Sequence, residues 1–145
     1  MKINLESQTF NLNRSGNIVG EIWFEFPDQQ FPEKNWADSV SIVLAWWLEE
    51  WERFSDVKGK SAIFRFMEGP FQIEIFKKDR RQAEVSLIER GTSKMRLARR
   101  FEVQQEVIKD QLNQAAVKVL SVARSNEWSS KEINEIDRII RGWRP

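Results

Sequence analysis

The chain has 145 residues, 23 Lys plus Arg against 22 Asp plus Glu, and neither His nor Cys. Those two absences remove disulfides, thiolate metal sites, Cys nucleophiles, Ser-His-Asp triads and His ligation, and leave carboxylate, Lys or Ser chemistry or an oxygen-ligand metal site. A formal net charge of +1 argues against a dedicated DNA binder, and the length fits one α+β domain over residues 1–145.

Ile3 to Leu12 reads as a first strand and Asn13-Arg14-Ser15-Gly16-Asn17 as a turn. Ile18 to Phe26 follows as a second strand. Ile22, Phe24 and Phe26 share one face of it, and Glu21, Trp23 and Glu25 the other. Pro27 and Pro32 bracket a loop. A helix is predicted from about Asn35 to Ser55, with Trp36, Val40, Val43, Leu44, Trp47, Leu48, Trp51 and Phe54 at helical spacing and Glu49, Glu50 and Glu52 on or near the opposite face. Asp56-Val57-Lys58-Gly59-Lys60 ends it.

Ala62 to Glu68 and Phe71 to Lys77 are strand-like and flank a tight turn at Gly69-Pro70. Gln82 to Arg90 is the next strand, and Gly91-Thr92-Ser93 a turn. Lys94 to Val103 could open a long helix, but Met95, Leu97, Phe101 and Val103 alternate with Lys94, Arg96, Arg100 and Glu102, broken only by Arg99 and Ala98, which reads as a sixth strand. Two helices close the chain. The first spans about Gln105 to Ser125. The second opens on Ser129 or Ser130 as N-cap, and Ser129 would place Glu132 in a capping box. The order ββαββββαα, with its short hairpins, implies an antiparallel sheet of about six strands with helices packed on one face.

Charge divides along the chain. Residues 1–76 carry 7 basic and 12 acidic side chains, residues 77–145 carry 16 and 10, and Lys77 to Arg100 alone hold nine basic against three acidic. The two halves neutralise each other across a folded domain, or one patch faces a charged partner. No transmembrane run is present: the longest apolar stretch, Ile42 to Leu48, is far short of the roughly 20 residues of a span. With no apolar segment behind Lys2, a cytoplasmic location is expected.

Seven Trp and ten Phe, with no Tyr, imply a large core, an aromatic binding surface, or both. Trp47 and Trp51, one turn apart on the apolar stripe, read as core. Trp46, about 100° from Trp47, is either the edge of that buried face or an exposed anchor. Trp23 between Glu21 and Glu25 is the better surface candidate, able to stack on a partner's Arg. Glu49 and Glu50 offer an acidic surface for a cationic partner, and Glu68 sits beside the Gly69-Pro70 turn, where it could touch one. No carboxylate pair is marked for the separation of about 5–10 Å that glycoside chemistry needs. No EF-hand spacing or Gly-rich phosphate loop occurs, so neither metal nor cofactor is expected. Lys77, Lys78, Arg80 and Arg81 surround a hairpin turn that could bind phosphate. A stacking platform beside it is lacking, because Phe76 and Phe101 read as core, so edge-protecting charge is the simpler reading.

The stretches Phe31-Pro32-Glu33-Lys34-Asn35-Trp36, Val43-Leu44-Ala45-Trp46-Trp47 and Phe66-Met67-Glu68-Gly69-Pro70-Phe71 give the first half of the chain a resemblance to small α+β immunity proteins of bacterial toxin systems. The resemblance implies a protein without activity of its own that binds a cognate toxin through an exposed, often acidic surface. Glu21, Trp23, Glu25 and the acidic helix face are then the places to look, and the basic second half departs from that pattern. The function expected is a non-enzymatic, cytosolic protein-binding domain that neutralises a toxin by occluding its site. The alternatives are a small carboxylate-dependent hydrolase, which needs a deep pocket and a carboxylate of raised pKa, a weak nucleic-acid-binding domain, and a self-associating sheet protein.

Overall fold

Period-two alternation pairs the N-terminal segments as their sequence predicts. The structure, a computed structural model, describes residues 1–56, 58–91 and 95–144, and of residues 95–98 the backbone alone. β1 (Lys2–Leu12) runs antiparallel to β2 (Ile18–Phe26). In the turn between them Asn13 Oδ1 accepts the N–H groups of Ser15 and Asn17, both at 3.0 Å, and Gly16 takes the positive φ of 83° that the turn requires. The register slips between Glu6 and Asn11, which bulges β1. Thr9 holds the bulge: its Oγ1 donates to Glu6 O and accepts from Glu21 N. Phe10 turns into the core there, so close to Gly20 that a Cβ on that glycine would lie 2.5 Å from the ring.

Two short strands absent from the sequence reading complete this first sheet. β3 (Gln29–Phe31) and β4 (Ala37–Asp38) both pair with β2, opposite β1. β4 shortens the predicted helix: α1 spans Val40–Ser55 and does not begin near Asn35. Asn35 has φ 63°, outside the right-handed helical region, and Ile22 N donates to Trp36 O at 2.8 Å. Sheet pairing therefore outcompetes the helical periodicity that Trp36 shows in sequence.

The second sheet is β5 (Ser61–Arg65), β6 (Phe71–Lys77), β7 (Gln82–Arg90) and β8 (Met95–Gln104), antiparallel in that order. The Gly69-Pro70 turn forms as expected, with Gly69 at φ 69°. β8 is a strand rather than the start of a long helix. Val57 of the helix stop, and Thr92, Ser93 and Lys94 of the next turn and strand start, lie outside the described residues. α2 (Gln105–Ser125) and α3 (Lys131–Gly142) follow. Ser130 is the N-cap of α3, its side chain accepting from Ile133 N at 3.1 Å, so Glu132 is the second helical residue and not a capping-box partner.

The class is α+β as expected, but among the described residues eight strands form two four-stranded sheets rather than one sheet of about six. α1 packs against both β2 and β5, α3 lies on α1 and α2, and α2 runs along β1. α2 also covers the outer edge of β1: Ile3 N donates to Gln111 Oε1 and Lys118 Nζ to Leu5 O. Aromatic rings join the two sheets. Trp47 stacks on Phe24 at 4.7 Å, Phe24 meets Phe66 edge-on at 5.5 Å, and Phe26 stacks on Phe101 at 4.6 Å. Burial of Phe24, Phe26 and Phe66 stabilises the fold by roughly 1.5–3 kcal/mol each.

The three stretches that carry the immunity-protein resemblance meet in this core. Phe31 and Trp36 each meet Phe66 and Phe71 edge-on, and Trp47 meets Phe66 at 5.3 Å. Buried Asp38 ties them together, its carboxylate accepting from Trp36 Nε1, Ser39 N and Glu68 N. What these stretches build is packing: a shared aromatic junction with one fully hydrogen-bonded carboxylate.

Candidate partner-binding surface

α1 presents two kinds of side chain because its apolar stripe is narrower than its circumference. Val43, Leu44, Trp47, Leu48, Trp51 and Phe54 are buried. Trp46, Glu49, Glu50 and Arg53 stand at i, i+3, i+4 and i+7, one continuous outer flank. Trp46 is 40% exposed, so it is not the edge of the buried face. It forms a ridge between two shallow grooves. One, about 280 Å³, lies between α1 and β5 and adds Ile63 and Arg65. The other, about 330 Å³, lies toward the start of α3 and adds Lys131, Glu132 and Glu135.

The surface continues over β5 and β6. Cross-strand register places Ser61 opposite Phe76, Ile63 opposite Glu74 and Arg65 opposite Gln72. Alternation puts these six on one sheet face, opposite Ala62, Phe64, Ile73 and Ile75, with Gln72 itself buried and the others partly or fully exposed. Phe76 is 45% exposed on that face, which corrects its sequence assignment to the core. Ile63 and Phe76 were readable as outward residues once the buried face of each strand was known. Their apolar character concealed them.

Ion pairs order the rim. Arg53 pairs with Glu50 at 2.7 Å, and Arg138 bridges Glu135 at 2.6 Å and Glu52 at 3.4 Å. The Arg138 hydrogen bond and charge hold the Glu135 carboxyl below the usual carboxylate range, and raise the Arg138 guanidinium in turn. These exposed pairs fix side-chain positions more than they add stability.

Of the seven residues singled out in sequence, the fold gathers three here: Trp46, Glu49 and Glu50. Trp23 is not a surface residue. It is 4% exposed, with its indole N–H donating to Gln30 Oε1 at 2.7 Å and Asn4 as its cross-strand neighbour. Trp23 is therefore buried on the polar face of β2 between partly exposed Glu21 and Glu25, which a period-two pattern cannot reveal. Glu21 accepts from Asn35 Nδ2 at 2.7 Å near β4. Glu25 lies at the other end of β2 beside Met1 and Lys2, and hydrogen bonds from Asn4 and then Gln30 lower its pKa. Glu68 is exposed on the β5–β6 turn, where its backbone N–H, not its carboxylate, does the bonding.

The basic segment divides as well. Asp79 Oδ1 accepts from Arg81 N and Gln82 N and closes the hairpin, which lowers its own pKa. Lys78 pairs with Glu102 and Arg100 with Glu84, while Arg99 lies over the Phe101 ring. Lys77, Arg80 and Arg81 turn instead toward the other flank of α1.

Among the described residues no helix is long and apolar enough to cross a membrane, and no group of three or more Asp or Glu is placed to hold a metal ion. No family model matches the chain, and the searches of curated proteins and of solved structures likewise found no significant match.

Proposed function

We propose that the chain is a non-enzymatic protein-binding domain, an immunity protein that neutralises a cognate bacterial toxin by covering its site. The observation that carries this reading is Trp46, held exposed on a rigid helix between two shallow grooves with ordered charged rims. A large aromatic side chain on a preformed element supplies anchor-type binding energy at low conformational cost, while rim charges set register and encounter rate. Ile63 and Phe76 extend the apolar part of the surface across the β5 edge. The shifted carboxylates Glu25, Asp79 and Glu135 all move downward, opposite to the direction expected of a general acid.

The test uses the product of the gene adjacent to this one in its native genome as the candidate toxin. Its growth inhibition is measured with and without this chain, and complex formation by calorimetry. The expected result is rescue of growth and a complex that Trp46→Ala weakens by about tenfold or more. A neighbouring product that is toxic, is not relieved by the chain and does not bind it would sink the proposal.

A further inference from the structure

The opposite flank of α1 opens onto a cleft of about 570 Å³ whose character is different. Its lining includes Lys77, Arg80, Arg81 and Lys109, against one carboxylate, Glu106. None of these four cations forms an ion pair with a described carboxylate, whereas Arg53, Lys78, Arg100, Arg124, Arg138 and Arg141 all do. Two of the four are held in place by aromatic rings. Lys77 Nζ lies 4.8 Å from the Phe54 ring centroid and donates to Phe54 O and Asp56 O, and Lys109 Nζ lies 5.7 Å from that of Trp143. The N-terminus of the 21-residue α2 ends at the same cleft, and its N-cap Gln104 makes no side-chain cap bond. The positive end of that helix adds to the field of the side chains.

A second observation is independent of charge. Trp51 also lines the cleft, is 4% exposed, and its indole Nε1–H has no acceptor among the described residues. A buried donor without an acceptor is uncommon, and leaves an unmet polar demand in the wall of the cleft.

We infer that this cleft binds the phosphoryl group of a small phosphorylated molecule, held by Arg80, Arg81 and Lys109 at the start of α2, with the Trp51 ring in its wall. Arg forks match phosphate oxygens in pairs, and the volume lies in the range of small-ligand sites. The cleft is bounded. A nucleic-acid track would need the basic surface to continue, yet the next cations along the strand, Arg99 and Arg100, are engaged with Phe101 and Glu84. This inference does not rest on the toxin-binding proposal, because Trp46 and the cleft lie on different flanks of α1.

The experiment is an NMR titration of the full chain carrying ¹⁵N-labelled indoles, with Trp51→Phe assigning the reporter resonance. Inorganic phosphate, AMP and single-stranded oligothymidylates of increasing length are added in turn, each against sodium chloride at matched ionic strength. Phosphate and AMP are expected to move the Trp51 indole resonance saturably while chloride does not. The double variant Arg80→Ala/Arg81→Ala is expected to weaken both by about tenfold or more, with the other indole resonances unchanged as the check of fold. Because both arginines are exposed, their removal leaves the core intact. A Trp51 resonance unmoved by millimolar phosphate and AMP, or moved equally by chloride, would overturn the inference. So would affinity for oligothymidylate that exceeds that for AMP and climbs with length, since the cleft would then be part of a nucleic-acid groove.

Discussion

Trp46 and Trp51 stand five residues apart on one helix and live in opposite surroundings. Five residues is about 140° of rotation, enough to move a side chain from one flank of α1 to the other. Trp46 is exposed among Glu49, Glu50 and Arg53, its rim closed by ion pairs. Trp51 is buried, stacked on Phe54 at 4.8 Å, and among the described residues its N–H lacks an acceptor and the four cations beside it have no carboxylate partner. Between them Trp47 is fully enclosed, and its N–H is satisfied by Arg65 O at 2.8 Å. One residue type thus does three things on one helix, and angular position relative to the two sheets decides which. Cations dominate the lining of the Trp51 flank, whereas carboxylates and cations mix along the Trp46 flank, so the near-neutral total describes neither.

Truncating the three tryptophans in turn breaks this comparison most directly. Trp47→Ala removes the stacking on Phe24 and Phe64 and leaves a cavity, and should cost about 3–5 kcal/mol in urea unfolding. Trp51→Ala should cost a comparable amount, about 3 kcal/mol, since most of its ring is equally buried. Ser130→Ala removes the cap of the helix that walls the Trp46 groove, and should cost about 1 kcal/mol. Trp46→Ala should change stability by no more than about 1 kcal/mol. If its cost matches that of Trp47→Ala, the outer flank is structural and the contrast fails.

The smallest effect is a pH dependence at the rim of the Trp46 flank. Glu135 has a folded pKa below its ordinary value of 4.5 because Arg138 hydrogen-bonds its charged form. Its contribution is therefore present above pH 4.5 and fades as the pH falls through the lowered folded value. Side-chain NMR titration should show Glu135 titrating below an ordinary glutamate, and Arg138→Ala should return it upward. An unchanged titration in that variant would remove Arg138 as the cause.

Local pattern was enough wherever each chain segment met its neighbour in sequence. The β1–β2 hairpin, the Gly69 turn, β8 as a strand and α2 from Gln105 to Ser125 follow from alternation, turn chemistry and 3.6-residue periodicity. The failures share a different cause. Trp36 looks helical, yet its backbone carbonyl accepts a hydrogen bond from Ile22 N. Trp23 alternates outward, yet it is buried and Gln30 of β3 takes its N–H. Phe76 looks like core and faces solvent. At the candidate surface Trp46, Glu49 and Glu50 were legible from helical spacing, while Ile63 and Arg65 join them only because β5 packs beside α1.

By itself the amino-acid sequence determined the class, α+β, the chemistry removed with His and Cys, and most elements, because those depend on composition and on interactions within a few residues. Tertiary structure alone decided that the strands divide into two sheets, that three distant aromatic stretches share one junction, and that Lys77, Arg80 and Arg81 face Lys109 across a cleft beside Trp51. The physical reason is range. Periodicity records which side of its own element a residue occupies, whereas burial and charge pairing depend on what another element, far away in the chain, brings to that side.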